Sequence, residues 1–311
     1  MSDTATVAAT VAATEHEVEA ARIERHRRFR SNTLPALVTV GPVTLWLIAF
    51  IAVPLLYILI MGFCSTDQYY NVVYRFTLDN FQAMLDPEYL KIYGQSILIA
   101  AISTAICLVL AYPFSYLISR TFKSKKTLLY MMIIIPFWTN SLVRIYGWRT
   151  FLSATGQLNT FLMTIGATSE PIQFLYNQAC TVFGMAYDMF PFMVLPLYAA
   201  IEKLDESQIE ASFDLGANML ATIFKVVIPQ TMSGIFSGCI MVFIPSLGAF
   251  YIADILGGGN ADVIGNLIQR QFQSANDWPL GAALSILLIA ITLLLVKIYQ
   301  KAGGDMESLG V

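Results

Sequence analysis

Histidine is almost missing from this sequence. His16 and His26 are the only two, and both precede the first apolar run. The body of the chain therefore offers no imidazole for a metal site or a Ser-His-Asp triad, which speaks against a hydrolase. Cysteine is scarce as well. Cys64, Cys107, Cys180 and Cys239 lie far apart and form no C-x-x-C, so neither a redox pair nor a zinc site is written here. Three of them fall inside apolar runs, where a thiol serves as a small hydrophobe. Charge is the third shortage. Only 13% of the 311 residues are charged, about half the fraction of a soluble domain. The net charge of −3 says nothing about nucleic acid, but no basic domain exists to support that role, and no nucleic-acid partner is expected. No Walker motif occurs. The run GGGN at 257–260 lacks the following Lys-Ser/Thr of a phosphate loop. A membrane-embedded enzyme would need a nucleophile–base pair or clustered ligands within the apolar runs, and neither is written there.

What fills the chain instead is hydrophobic side chain, 57% of all residues. A membrane helix needs about 20 mostly apolar residues. Six segments qualify: 38–63, 92–119, 127–148, 178–200, 232–256 and 279–300. The sequence thus predicts an all-α integral membrane protein with six transmembrane helices spanning 34–302, between a polar, then basic tail (1–33) and a short tail (303–311). The run beginning near Leu34 is too long and too Pro-interrupted for a cleavable signal peptide. With the N-terminus inside, 13 of the 18 lysines and arginines fall in cytoplasmic segments, as the positive-inside rule requires, and both termini are cytoplasmic. The outer connections 64–91, 149–177 and 257–277 carry turn residues and short helical patterns. The first, polar and aromatic, reads as a short helix at the interface.

The longest structured polar connection joins the fourth and fifth spans. Its core, IEASFDLGANMLATIFKVVIPQTMSGI (209–235), has Ile209, Phe213, Gly216, Ala217 and Leu220 at helical spacing, with Glu210, Asp214 and Asn218 off that stripe. Gly216 ends a first short helix, and Pro229 halts a second. The expected result is two short helices at an angle, presenting small and apolar side chains to water. A helix resting on lipid carries Lys and Arg on its polar face. This one is acidic, with Glu202, Asp205, Glu206, Glu210 and Asp214. An apolar face laid into a partner's groove is the better reading.

The pattern Glu210-Ala211-x₄-Gly216-x₉-Val226-x-Ile228-Pro229 resembles the EAA loop of binding-protein-dependent ABC importer permeases, with Ser212 where that family usually has Ala. The resemblance implies the type I ABC importer permease fold. It also implies that the loop 201–231 forms the cytoplasmic coupling helix docking on a separate ATPase, with Glu210, Ala211, Asp214, Gly216 and Ala217 at the contact and Pro229 as the stop. Further segments, IIPFWTNSLVRIYGW (134–148), PFMVLPLY (191–198), EKLDESQIEASFDLGA (202–217) and PSLGAFYIADILGG (245–258), look like the spermidine/putrescine branch of that family. The resemblance covers roughly residues 40–300. Implied with it are a second permease subunit, two copies of an ATPase that bind the ATP and Mg²⁺, an extracytoplasmic polyamine-binding protein and residence in the bacterial cytoplasmic membrane. This chain itself would hold no cofactor and no metal. Close relatives of the branch carry other organic amines. A stand-alone channel or secondary carrier would leave the docking loop without a purpose.

A polyamine needs carboxylates, carbonyls and aromatic faces to replace its water. Asp188 is the only charged residue near the middle of a span, and a bare Asp there costs about 2.5–3.5 kcal/mol, so it should face the bundle interior. Two readings stand open for it: part of a cation route, or a structural pair with Arg144. Tyr187 lies beside it, its carbonyl freed by Pro191. Asp254 stands at the outer end of the fifth span, which Pro245 and Gly248 should bend, with Tyr251 one turn earlier on the same face. Trp138 and Tyr146 read as packing or interface anchors before ligand contacts. Arg144 and Arg149 read as marking the outer headgroup level.

Overall fold

The computed structural model of the chain describes residues 34–121 and 123–301. The two terminal tails expected at 1–33 and 303–311 lie outside the described residues. The chain divides into two units, Met1–Ile60 and Met61–Val311. The first unit is helical throughout its described part. Helix α1 (Leu34–Leu47) passes through a π turn at Ile48–Ala52 into α2 (Val53–Gly62). Pro54 explains the wide turn. Its ring would clash with the carbonyl four residues back, and one extra residue per turn removes the clash.

The second unit is helical except for one short hairpin, β1 (Ser65–Thr66) with β2 (Val72–Val73), pairing Ser65 with Val73. The hairpin is a departure from the all-α expectation. It is closed by Asp67–Asn71 and Asp67–Tyr70 backbone bonds, with Tyr70 at positive φ. The short interface helix expected in this connection is α3 (Asp79–Ala83). Helix α4 (Pro87–Ser119) follows, with Pro87 at its first position and the Asp86 carboxylate accepting from the Glu88 N–H. Its 33 residues would reach about 50 Å at 1.5 Å per residue, longer than the hydrocarbon core.

The third apolar run does not form the single helix expected at 127–148. Helix α5 (Lys123–Phe137) stops, and α6 (Ser141–Leu152) starts afresh. The cause is local. Pro136 weakens the end of α5, and the Asn140 side chain caps α6 by accepting the Leu142 N–H at 2.8 Å. After α7 (Gln157–Thr164), helix α8 (Gln178–Glu202) forms the centre of the unit, capped by Asn177. The elbow then comprises α9 (Glu206–Asp214), α10 (Met219–Thr222), a π turn (Ile223–Val227) and α11 (Ile228–Gln230). Helix α12 (Met232–Gly248) leaves the elbow at 72°. The fifth run breaks at Gly248 rather than at Pro245. It continues as α13 (Phe250–Ile252) and a π turn (Ala253–Gly257), then α14 (Ile264–Arg270), a π turn (Gln271–Ala275) and α15 (Trp278–Lys301).

Among the described residues, four stretches are each long and apolar enough to cross a membrane: Thr39–Gly62, Pro87–Ser119, Gln178–Glu202 and Trp278–Lys301. The bent pair Met219–Gln230 and Met232–Gly248 makes a fifth candidate. Helices α4, α8 and α12 pack on one another through small and hydroxylated residues, which let backbones approach where no hydrophobic force drives association. A Cβ on Gly234 would meet the Pro196 carbonyl at 2.8 Å and Ala200 Cβ at 2.5 Å. Three buried hydroxyls on α4 bond nearby carbonyls, Ser96 on Ile92, Thr104 on Ala100 and Ser115 across to Val194, whereas that of Ser103 has no partner among the described residues.

Gly234→Val should therefore push α8 and α12 apart at an overpacking cost of about 1–3 kcal/mol. Gly94→Ala, where the new methyl meets nothing within 4 Å, should be neutral. Thermal unfolding of the purified complex separates the two; equal midpoints would contradict this packing.

Candidate functional site

Two features concentrate the polar chemistry of the described residues. The first is built around Asp188, buried at 4% exposure in the middle of α8. Its Oδ1 accepts from Arg144 Nη2 at 2.8 Å and from Ser141 Oγ at 2.6 Å, and its Oδ2 accepts from the Tyr251 hydroxyl at 2.8 Å. Ser141 and Tyr251 also touch, 2.9 Å apart. A single carboxylate thus joins α6, α8 and α13. The Arg144 side chain is 10% exposed, and its Cζ lies 5.7 Å from the ring centres of both Phe137 and Tyr187. Trp148 packs edge-on against Tyr187.

Arg144 is therefore buried against Asp188, the structural pair that the sequence left open, rather than exposed as a headgroup marker would be. The capped start of α6 is the reason: it turns Ser141 and Arg144, one helical turn apart, onto one face toward α8. Tyr251 joins Asp188 rather than sharing a ligand with Asp254. Asp254 accepts from Asn266 Nδ2 at 2.6 Å in a separate network, in which Asn266 also donates to the Phe250 carbonyl. Trp138, 82% exposed at the α5–α6 break, touches neither group. Sequence reasoning missed Ser141 and Asn266. The Asn140-Ser141 pair after Pro136 was the available signal for the first, since it reads as a helix start. Nothing in the sequence pointed to Asn266. An apolar cavity of about 830 Å³ between α4, α5 and α8 reaches Arg144 and Tyr187. Among the described residues no His, Cys, Asp or Glu group is placed to hold a metal.

The second feature is the elbow. Asp205 caps α9 by accepting the Ser207 N–H at 3.0 Å. That bond holds its carboxyl below the usual range, so the cap is intact at neutral pH and is lost only as pH falls through the lowered pKa. Gly216, at φ +84°, ends α9 in a Schellman motif: the Ala217 N–H reaches the Ser212 carbonyl at 3.0 Å, and the Gly216 N–H reaches Phe213 at 2.8 Å. Asn218 then caps α10 by accepting the Ala221 N–H. The two arms are joined inside the elbow. Ser212 Oγ donates to the Ile209 carbonyl at 2.7 Å, so the Thr222 hydroxyl, 2.8 Å away, donates to Ser212. Gln230 and Gln208 add a second tie. Pro229 does not stop the second arm. It lies inside the helical stretch, relieved by the preceding π turn, and the direction changes two residues later at Thr231. Thr231 is held there by its bond to the Val227 carbonyl and by Tyr112.

The expected apolar stripe is split by the reversal at Gly216. Ile209 and Ser212 turn inward, whereas Phe213, Leu215, Met219, Leu220 and Phe224 stay exposed, Leu215 at 90%. Glu210, Ala211, Asp214 and Gly216 are exposed and Ala217 is partly covered. Two ion pairs flank the elbow: Arg120, at the end of α4, with Glu206 of α9 at 2.7 Å, and Lys126 of α5 with Glu202, the last residue of α8, at 2.9 Å.

Removing Asp188 should cost more than trimming its support. Asp188→Leu strands a buried guanidinium, an effect of about 3–5 kcal/mol, whereas Tyr251→Phe removes one donor at about 1–2 kcal/mol. Thermal unfolding should rank the midpoints wild type, Tyr251→Phe, Asp188→Leu; the reverse order would show that the cluster is not satisfied as described.

Comparison with known proteins agrees with this architecture. The spermidine/putrescine transport system permease protein PotB of Escherichia coli (strain K12) is 43% identical over 257 residues, covering 83% of this chain and 94% of that protein. PotB of Haemophilus influenzae is 40% identical over 265 residues, covering 85% and 93%. Among solved structures, a bacterial ABC transporter involved in import of the acidic polysaccharide alginate aligns at TM-score 0.70 and 18% identity, over 89% of this chain and 98% of the matched chain. That likeness shows the type I permease fold alone. Residues 31–302 match the family described as binding-protein-dependent transport system inner membrane component. The chain belongs to that family, as an ABC importer permease: a transport subunit of the inner membrane and not an enzyme.

Proposed function

We propose that this chain forms half of the pore of an ATP-driven importer for spermidine, putrescine or both. It crosses the membrane six times within 34–302, the segment 123–152 making the third crossing in two pieces. The tails 1–33 and 303–311 both lie in the cytoplasm. Its partners are a second permease subunit, two copies of an ATPase that bind ATP and Mg²⁺, and an extracytoplasmic binding protein that delivers polyamine.

One observation carries the coupling role: a rigid elbow exposes a cluster of large apolar side chains beside acidic ones. Phe213, Leu215, Leu220 and Phe224 would be costly in water and ill matched to an anionic lipid surface, because Glu206, Glu210 and Asp214 flank them. A protein cleft suits both. In this reading Glu210, Ala211, Asp214, Gly216 and Ala217 enter the ATPase surface, and the Ser212–Thr222 tie keeps the two arms at a fixed angle. Closure of the ATPase pair swings the elbow, and the ion pairs at Glu202 and Glu206 pass that swing to α4, α5 and α8. The bundle then exchanges an inward opening for an outward one. The names of the 43% and 40% identical relatives support polyamine as the cargo. Asp188, Tyr187 and Tyr251 supply the carboxylate and aromatic faces such a cation needs, Asp254 lies nearer the outer entrance, and Trp138 is a further candidate along the pathway.

Gly216→Trp should abolish transport-coupled ATP hydrolysis while the chain still inserts and assembles, because the positive φ and the docking surface are lost together. Vesicle assays of substrate-stimulated hydrolysis check this; unimpaired coupling counts against the docking role.

A further inference from the structure

Arg144 lies where a substrate cation would be expected to lie. Its guanidinium sits against one carboxylate, Asp188, and 5.7 Å from two aromatic ring centres, Phe137 and Tyr187. A carboxylate with two π faces is the chemistry that holds an alkylammonium group out of water. We infer that Arg144 is a displaceable internal cation, occupying the Asp188 site in the empty transporter and giving way to an ammonium group of the passing polyamine. This rests on the reading of Asp188 as part of the cation route.

Three features distinguish such an arrangement from a permanent ion pair. First, the guanidinium is under-satisfied. Nη2 alone donates to Asp188, and the buried Nε has no hydrogen-bond partner among the described residues. A durable buried Arg–carboxylate pair usually engages both donors of the fork. Second, the site opens on an apolar cavity of about 830 Å³, lined by Ile102, Ile106, Leu110, Tyr187 and Phe190. Methylene spacers between ammonium groups would fit against such walls. Third, α6 carries Arg144 on a segment already separated from α5 at Trp138–Asn140. It can tilt without breaking hydrogen bonds inside a continuous span.

Exchange of one cation for another also solves an electrostatic difficulty. If Arg144 left with nothing in its place, Asp188 would stand uncompensated in a low-dielectric interior, at large cost. The pair therefore stays closed to water and to substrates without charge. An organic cation that can occupy the carboxylate and the aromatic faces restores neutrality and opens the pair. Tyr251 keeps the carboxylate aimed during the exchange, since its bond to Oδ2 comes from α13 and involves neither Arg144 nor α6.

The binding test uses the assembled importer in lipid nanodiscs and labelled spermidine, without binding protein or ATP; import is measured separately in vesicles supplied with ATP and binding protein. If the pair is closed about nine-tenths of the time, Arg144→Gln should tighten direct spermidine binding about tenfold. The double variant Arg144→Gln/Asp188→Asn should lose that gain and import poorly despite having no unpaired charge. A second readout needs no variant: spermidine should raise phenylglyoxal modification of Arg144 severalfold in the wild-type complex, measured by mass spectrometry. Unchanged Arg144 reactivity, unchanged affinity in an assembled Arg144→Gln complex, or normal import by the double variant would each overturn the inference. In those cases wild-type import of polyamine would leave the functional reading standing, whereas a wild-type complex that imports none would overturn both.

Discussion

A hydrocarbon surrounding leaves a polar group no outside partner, and the structure is arranged around that constraint. Each interruption of an apolar helix coincides with a device that restores the lost bonding. The α5–α6 break is capped by Asn140. The turns before Pro54 and Pro229 widen to π geometry. The break at Gly248 is covered by α14, whose Gly265 lies so close that a Cβ there would meet the Gly248 carbonyl at 2.5 Å. The sole charge in the middle of α8 follows the same rule: Asp188 receives three side-chain donors from two other elements, and they bring α6 and α13 onto α8. Charge burial here organises the contact of three helices.

The elbow inverts the problem. There it is apolar side chains that are exposed without a partner among the described residues, and the proposed topology puts them in water. Capping by Asp205 and Asn218, the Schellman turn at Gly216 and the Ser212–Thr222 bond fix the backbone so firmly that Phe213, Leu215, Leu220 and Phe224 cannot fold back into the protein. A family usually built with Ala at the Ser212 position here gains a hydroxyl tie. An apolar face held this way is preorganised, which would lower the ordering cost of the proposed docking. In the proposed coupling role this rigidity would let the elbow transmit force, with Glu206 tying it to the end of α4 and Glu202 tying the adjoining end of α8 to α5.

Much of this was legible in the sequence because it depends on local rules. Gly216 followed by Asn218 is a helix stop and restart that backbone chemistry dictates, and the low charge fraction identified the membrane. Asp188 stood out because a lone mid-span acid is costly. Other features depend on tertiary context. Arg144 looked like a headgroup anchor because its distance from the start of α6 was hidden while 127–148 was read as one helix. Ile209 looked like part of an exposed stripe, since periodicity cannot see that the chain reverses at Gly216. Pro229 looked like a stop because the π turn that accommodates it has no sequence mark. Which residues pair across elements, as Ser141 and Tyr251 do with Asp188, is set by the packing of three helices and is not written in any one of them.

The central claim is that the exposed apolar knuckle of the elbow is covered by a separate ATPase, and proximity tests it most directly. A cysteine introduced at Leu220, crosslinked with a short thiol reagent in the assembled importer, should join this chain to the ATPase subunit in high yield. Adducts with lipid alone, in a complex that still imports, would contradict the account.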